Sequence, residues 1–290
     1  MTPQFTDFVA IDWSGQAVAY PKGLALAHAR SGRAAPALLR PGGGWSRGAV
    51  RDWLLRHAQA GTAMLVGLDL SPALPFCDKG SYFPGWDRSP PDAKGLWRFV
   101  EALSPGDSHL SASSFLADPE ARRHFRQVGQ CGDLFPRGGG RFRVCEHGQR
   151  AMGLSPYSCF NLVGAAQVGK SSLTGMRVLH ALDGRIPVWP FDPLPESGPV
   201  IVEIYTTIAA RAARIRKGLS KMRDGAALDA ALLEMDSDPH MTLARYDDHS
   251  TDAILTAAWL RAAADDPRLW NPGAMTPEIA RTEGWTFGVA

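Results

Sequence analysis

Two short apolar runs that each close on an aspartate constrain this chain more than any other feature. Phe8-Val-Ala-Ile-Asp12 leads into Trp-Ser-Gly, and Met64-Leu-Val-Gly-Leu-Asp69 leads into Leu-Ser-Pro. An apolar run of that length bounded by turn residues reads as a buried strand. Between the two, apolar runs over 23–29 and 34–39, separated by Ser31-Gly32-Arg33, predict a β-meander continuing from the first strand. Ser46 predicts the cap of a helix that reaches Ala60 and ends at Gly61.

From Pro72 to Gly198 the chain changes character and becomes rich in Pro, Gly, Trp and Arg. Short helical stretches are expected near 92–103, 117–128 and 171–182. Residues 72–198 read as an insertion between the fourth and fifth core strands. After it, 200–205 predicts a strand, followed by a basic helix of about 12 residues, an ordinary length. A helix over 225–235 comes next. The last helix starts near Asp247 or Ser250 and runs through Ala264. The tail, 283–289, is too short to classify. This order reads as an α/β chain forming one domain over 1–290.

The composition, 45% apolar and 21% charged, supports a sizeable core. A net charge of +2 is too small to identify a partner, so any nucleic-acid surface has to be a local patch. No apolar run approaches the roughly 18 residues of a membrane span, and the first residues lack the pattern of a signal peptide. The expectation is a cytoplasmic protein with no membrane partner. Four cysteines suggest no disulfide scaffold, and Cys145-x-His147 is the one pair close enough to suggest zinc, which is too little for the usual ligand spacing.

Acids recur where rigid elements end. Asp12 closes the first strand, Asp69 the fourth, Glu203 lies in the strand after the insertion, and Asp248, His249 and Asp252 open the last helix. Two-metal phosphodiester hydrolysis uses this kind of set, because Mg²⁺ prefers oxygen ligands and two ions about 4 Å apart clamp the attacking and leaving oxygens. Asp248 and Asp252, four apart, share a helix face. Each acid alone also has a plain reading. Asp12 and Asp69 suit turns, Asp247, Asp248 and Asp252 suit a helix start, and Glu203 suits a structural ion pair. Only the joint pattern is informative.

The segments FVAIDWSG, LVGLDLSPALP, NLVGAAQVGKSSLTG, VWPFD, VIVEIYTTIA, DDHSTDAILTAAWL and EGWTFGV follow one another over nearly the whole chain. In that order they resemble a prokaryotic domain-of-unknown-function family described as predicted RNase-H-like nucleases. The resemblance implies a five-stranded mixed sheet of order 3-2-1-4-5, flanked by helices, with Asp12 and Asp69 side by side. It also implies a last helix packed against that region, as in bacterial Holliday-junction resolvases. There the pairing is either Asp248 with Asp252 or His249 with Asp252. The implied activity is a Mg²⁺- or Mn²⁺-dependent nuclease acting on DNA or RNA. Asp12, Asp69, Glu203 and Asp252 would be its catalytic residues, and Asp12, Asp69, Asp248, His249 and Asp252 its metal ligands.

Two other readings stand beside it. Residues 164–171, G-A-A-Q-V-G-K-S, match the phosphate-cradling pattern of nucleotide-binding loops. That match, or an actin-like arrangement using the Asp-x-x-Gly turn after the first strand, would make the chain an ATP-handling protein. A non-catalytic nucleic-acid-binding module is the third reading. It draws on Lys170, on the basic run with Arg211, Arg214 and Lys217, and on the arginine cluster with Arg141 and Arg143, interleaved with phenylalanines.

Overall fold

The computed structural model of the chain describes residues 3–164, 167–215 and 222–290. At its centre lies a mixed five-stranded sheet built from β1 (Asp7–Asp12), β2 (Ala25–Arg30), β3 (Ala37–Leu39), β4 (Met64–Asp69) and β5 (Val200–Glu203). Their order is β3-β2-β1-β4-β5. β2 runs antiparallel to β1 and β3, whereas β1, β4 and β5 are parallel. The three parallel strands are almost wholly buried, as strands covered by helices on both faces must be.

Alternation along each strand sorts the side chains into two cores. Val9, Ile11, Val66, Leu68 and Ile201 face one core, and Phe8, Ala10, Leu65, Val200 and Val202 face the other. The first core is filled by α1 (Arg47–Gln59) and by residues of the long 72–198 segment. That segment contributes α2 (Ala93–Ala102), α3 (Val144–Ala151), α4 (Val168–Ala181) and an aromatic cluster around Phe83. α2, α4 and the aromatic cluster close this face of the sheet, whereas Cys145 of α3 and Trp189 pack in the other core. Each large apolar side chain buried there contributes about 1.5–3 kcal/mol.

The second core is filled by α5 (Thr206–Ala212) and α6 (Asp248–Ala263), with the terminal segment. α6 begins at Asp247, whose side chain accepts the Ser250 backbone N–H, and is buried almost continuously from Ser250 to Leu260. Gly67 permits its close approach. A Cβ there would lie 2.9 Å from Leu260 Cδ1 and 2.6 Å from Ile204 Cγ2. The terminal segment runs beside β5 through a parallel bridge of Glu203 with Thr286.

Several boundaries differ from the sequence reading. The third strand shrinks to Ala37–Leu39 because Pro36 cannot donate to a ladder. The strand after the insertion ends at Glu203, since Tyr205 already caps α5. The short helical stretch expected near 117–128 is split in two and begins earlier. Ser113–Ala117 is a short helix that stops before Pro119, and a single tight turn, Ala121–His124, follows, because the residue before a proline disfavours helix. α3 was not anticipated. The expected 12-residue basic helix is the seven-residue α5, and 216–221, with Lys217, lie outside the described residues. Among the described residues, no helix is long and apolar enough to cross a membrane.

Candidate active site

β1 and β4 end in register, so Asp12 stands directly opposite Asp69. Both carboxylates follow the pleat toward the face covered by α6, whose first turns bring Asp248, His249 and Asp252 over them. These residues line one cavity of about 430 Å³ at the carboxyl end of the sheet. Nothing local assembles the group. The parallel register and the packing of α6 on β1 and β2 do it.

The electrostatics of the cavity are those of crowded acid. Burial pushes the Asp69 carboxyl well above the usual carboxylate range, and Asp12 and Asp252 push it further. The backbone N–H of Thr206 works against that rise. Asp12, only 8% exposed, is also raised, mainly by burial, although the hydrogen bond from His249 opposes the shift. His249 Nδ1 lies 2.8 Å from Asp12 Oδ2. That hydrogen bond outweighs the burial of the imidazole and raises the histidine. Asp248 meets Arg223 at 3.0 Å, a member of the 211–223 basic run that the sequence reading gave no separate role.

Glu203 departs from the expected role. Its partner across the ladder is Leu68 rather than Asp69, so the pleat turns it to the opposite face. There the Arg143 guanidinium holds both carboxylate oxygens, at 2.7 and 2.5 Å, and Thr286 donates to one of them at 2.8 Å. Arg143 also binds Glu146 Oε1, Ser71 Oγ and the Glu283 carbonyl. A carboxylate so fully engaged is a brace beneath the cavity floor, and the expectation of Glu203 as a catalytic ligand is corrected accordingly. The same geometry corrects the nucleic-acid reading of Arg143, which is completely buried. Arg141 is corrected too, because it grips both oxygens of Asp78 and the carbonyls of Ser81 and Tyr82. The spacing of Arg143 and Glu146 around the start of α3 was the available signal for this brace, since the Glu146 carboxylate accepts the Arg143 backbone N–H at 2.8 Å.

The remaining basic candidates are scattered. Lys170 sits half-buried in the first turn of α4. Arg211 is exposed at the end of α5, and Arg214 pairs with Glu234 at 3.3 Å; neither belongs to the cavity wall. The run before the 164–171 loop supplies one isolated bridge, Asn161 with Arg126, rather than a strand of the central sheet. Ala165 and Ala166 of that loop lie outside the described residues.

Among the described residues, no three His, Cys, Asp or Glu side chains are drawn close enough together to enclose a metal ion. The donors at the cavity are nonetheless carboxylate oxygens, the ligands hard divalent ions prefer. Compared with known protein families, curated proteins and solved structures, the chain matches none.

Proposed function

We propose that this protein is a divalent-metal-dependent nuclease built on an RNase-H-like sheet. The observation that carries the reading is the in-register pair Asp12 and Asp69 at the ends of adjacent parallel strands, with Asp252 near enough to disfavour ionisation of Asp69. Three acids converging from separate elements repel one another, and a cation reverses that cost. The strand order supports the same reading, with two antiparallel strands on one side of β1 and two parallel strands on the other.

Asp12, Asp69 and Asp252 would hold Mg²⁺ or Mn²⁺, with Asp248 beside them. Held by these carboxylates, such ions would supply a water of lowered pKa and charge stabilisation at a scissile phosphate. His249 fixes the rotation of the Asp12 carboxylate through its Nδ1 hydrogen bond. The Arg143–Glu203 brace fixes the floor, because its members come from β5 and the start of α3 and are locked by bidentate geometry.

The test is cleavage of single- and double-stranded DNA, RNA and hybrid substrates in Mg²⁺, Mn²⁺ or EDTA. The expected result is metal-dependent cleavage that Asp12→Asn and Asp69→Asn each abolish while circular dichroism stays native. No metal-dependent cleavage of any substrate, or unchanged rates in both variants, overturns the reading.

A further inference from the structure

A second cavity, about 970 Å³, adjoins the acidic one, and Trp13, Gln167, Ser171 and His249 stand in the walls of both. The charge reverses across that shared wall. Four aspartates line the acidic cavity beside the Arg143-paired Glu146 and Glu203, whereas the described wall of the larger one contains no carboxylate and presents Lys22 and Lys170 among serine and threonine hydroxyls. An anion seated in the larger cavity can therefore extend a reacting end past His249 into the smaller.

The wall is preformed. The buried Arg47 guanidinium grips the turn after β1 from behind, donating to the carbonyls of Ser14, Gln16 and His109 at 2.7, 2.5 and 2.8 Å. From the other side, Gly15 presses on the backbone of α4, where a Cβ would fall 2.5 Å from Lys170 C and Ser171 N. The rim is apolar, with Tyr20 60% and Val18 47% exposed. A volume at the upper end of the small-molecule range, about 300–1,000 Å³, suits a few nucleotide units. An exposed tyrosine next to cations suits a base that has left its stack.

We propose that the larger cavity binds single-stranded nucleic acid, with backbone phosphates on Lys170 and Lys22 and an unstacked base against Tyr20. Delivery of the next phosphodiester to the acidic cavity rests on the nuclease reading, but binding does not.

Binding is therefore measured in EDTA, by anisotropy of short labelled single strands of DNA and RNA, with the matching duplex and ATP as competitors. The expected order is single strand tighter than duplex, with ATP much weaker. Tyr20→Ala weakens single-strand binding about tenfold. Lys22→Ala with Lys170→Ala lowers the salt dependence by about 0.7 for each lost phosphate contact. Unchanged melting temperatures keep these losses local. The proposal is overturned if wild type binds no single strand, if duplex or ATP binds as tightly, or if the variants bind as wild type does. Variant-sensitive binding without metal-dependent cleavage in wild type sinks the nuclease reading alone. Metal-dependent cleavage with variant-insensitive binding sinks this one alone.

Discussion

His249 Nδ1 lies 2.8 Å from Asp12 Oδ2, tying the first turn of the last helix to the end of the first strand across 237 positions of chain. This contact, with the in-register Asp69, places the helix-borne acids over the sheet. Breaking it leaves the nearly buried Asp12 carboxylate without its donor. His249→Ala should cost about 1–3 kcal/mol, the penalty for an unsatisfied buried group. Adding Asp12→Asn should recover much of that loss. Urea denaturation of the four proteins of the cycle measures the coupling, and additive losses would show that the bond contributes nothing.

Asp69 has the opposite character. Burial and the neighbouring Asp12 and Asp252 carboxylates all disfavour its charge. Asp69→Asn keeps the shape and removes the repulsion, so the melting temperature at neutral pH without added metal should rise, by about 2–4 °C for each kcal/mol relieved. Added Mn²⁺ should raise the melting temperature of wild type more than that of the variant. Equal Mn²⁺ shifts would remove Asp69 from the ligand set.

The Arg143–Glu203 pair predicts an asymmetry. Glu203→Gln leaves Arg143 its contact with Glu146, whereas Arg143→Met strands both carboxylates in the core. Loss of one partner of a buried pair costs about 3–5 kcal/mol, so Arg143→Met should lie at or beyond the top of that range and Glu203→Gln below it. Denaturation midpoints rank the two, and the reverse order would mean that Glu146 carries no part of the Arg143 charge.

The seat of the turn after β1 is tested with two glycines. Gly15→Ala forces backbone apart, because the new methyl meets Lys170 C at 2.5 Å, while a Cβ on Gly42 meets nothing within 4 Å. Overpacking of this kind costs about 1–3 kcal/mol. Gly42→Ala should be neutral or slightly stabilising. Thermal melts compare them directly, and equal melting temperatures would show that the turn yields freely.

His124 supplies a pH dependence far from the acids. Burial in the cluster around Phe83, helped by the Arg141 and Arg123 charges, lowers its pKa from 6.5 to about 4. The unfolded chain takes up the proton first, so stability should be full above about pH 6.5 and fall as pH drops toward 4. The whole fall is at most about 3.4 kcal/mol, at 1.36 kcal/mol per pKa unit. His124→Phe should remove this part of the acid sensitivity. If melts of the two proteins between pH 7 and pH 4.5 stay parallel, His124 does not titrate as stated.

The sequence by itself determined the elements that local chemistry dictates. Apolar runs closed by turn residues marked β1 and β4 to within a residue, Ser46 and Gly61 marked the ends of α1, and the start of α6 was narrowed to Asp247 or Ser250, of which the structure uses Asp247. It also placed Asp12 and Asp69 at strand ends, because a carboxylate is tolerated where a buried strand emerges. The tertiary structure decided what each polar group faces. Asp69 and Glu203 look similar in sequence, one an acid closing an apolar strand and the other an acid within one. A register that pairs Glu203 with Leu68 turns it to the other face and gives it to Arg143. Arg141 and Arg143 read as a basic surface because a sequence shows charge but not its partner: Asp78 lies 63 positions from Arg141 and Glu203 60 from Arg143, although Glu146 stands only three from Arg143. Alternation fixes which side chains share a face of one strand. Which acids meet, and which are neutralised, depends on how separate strands and helices pack, because ion pairs and crowded carboxylates form through space over distances that no local pattern encodes.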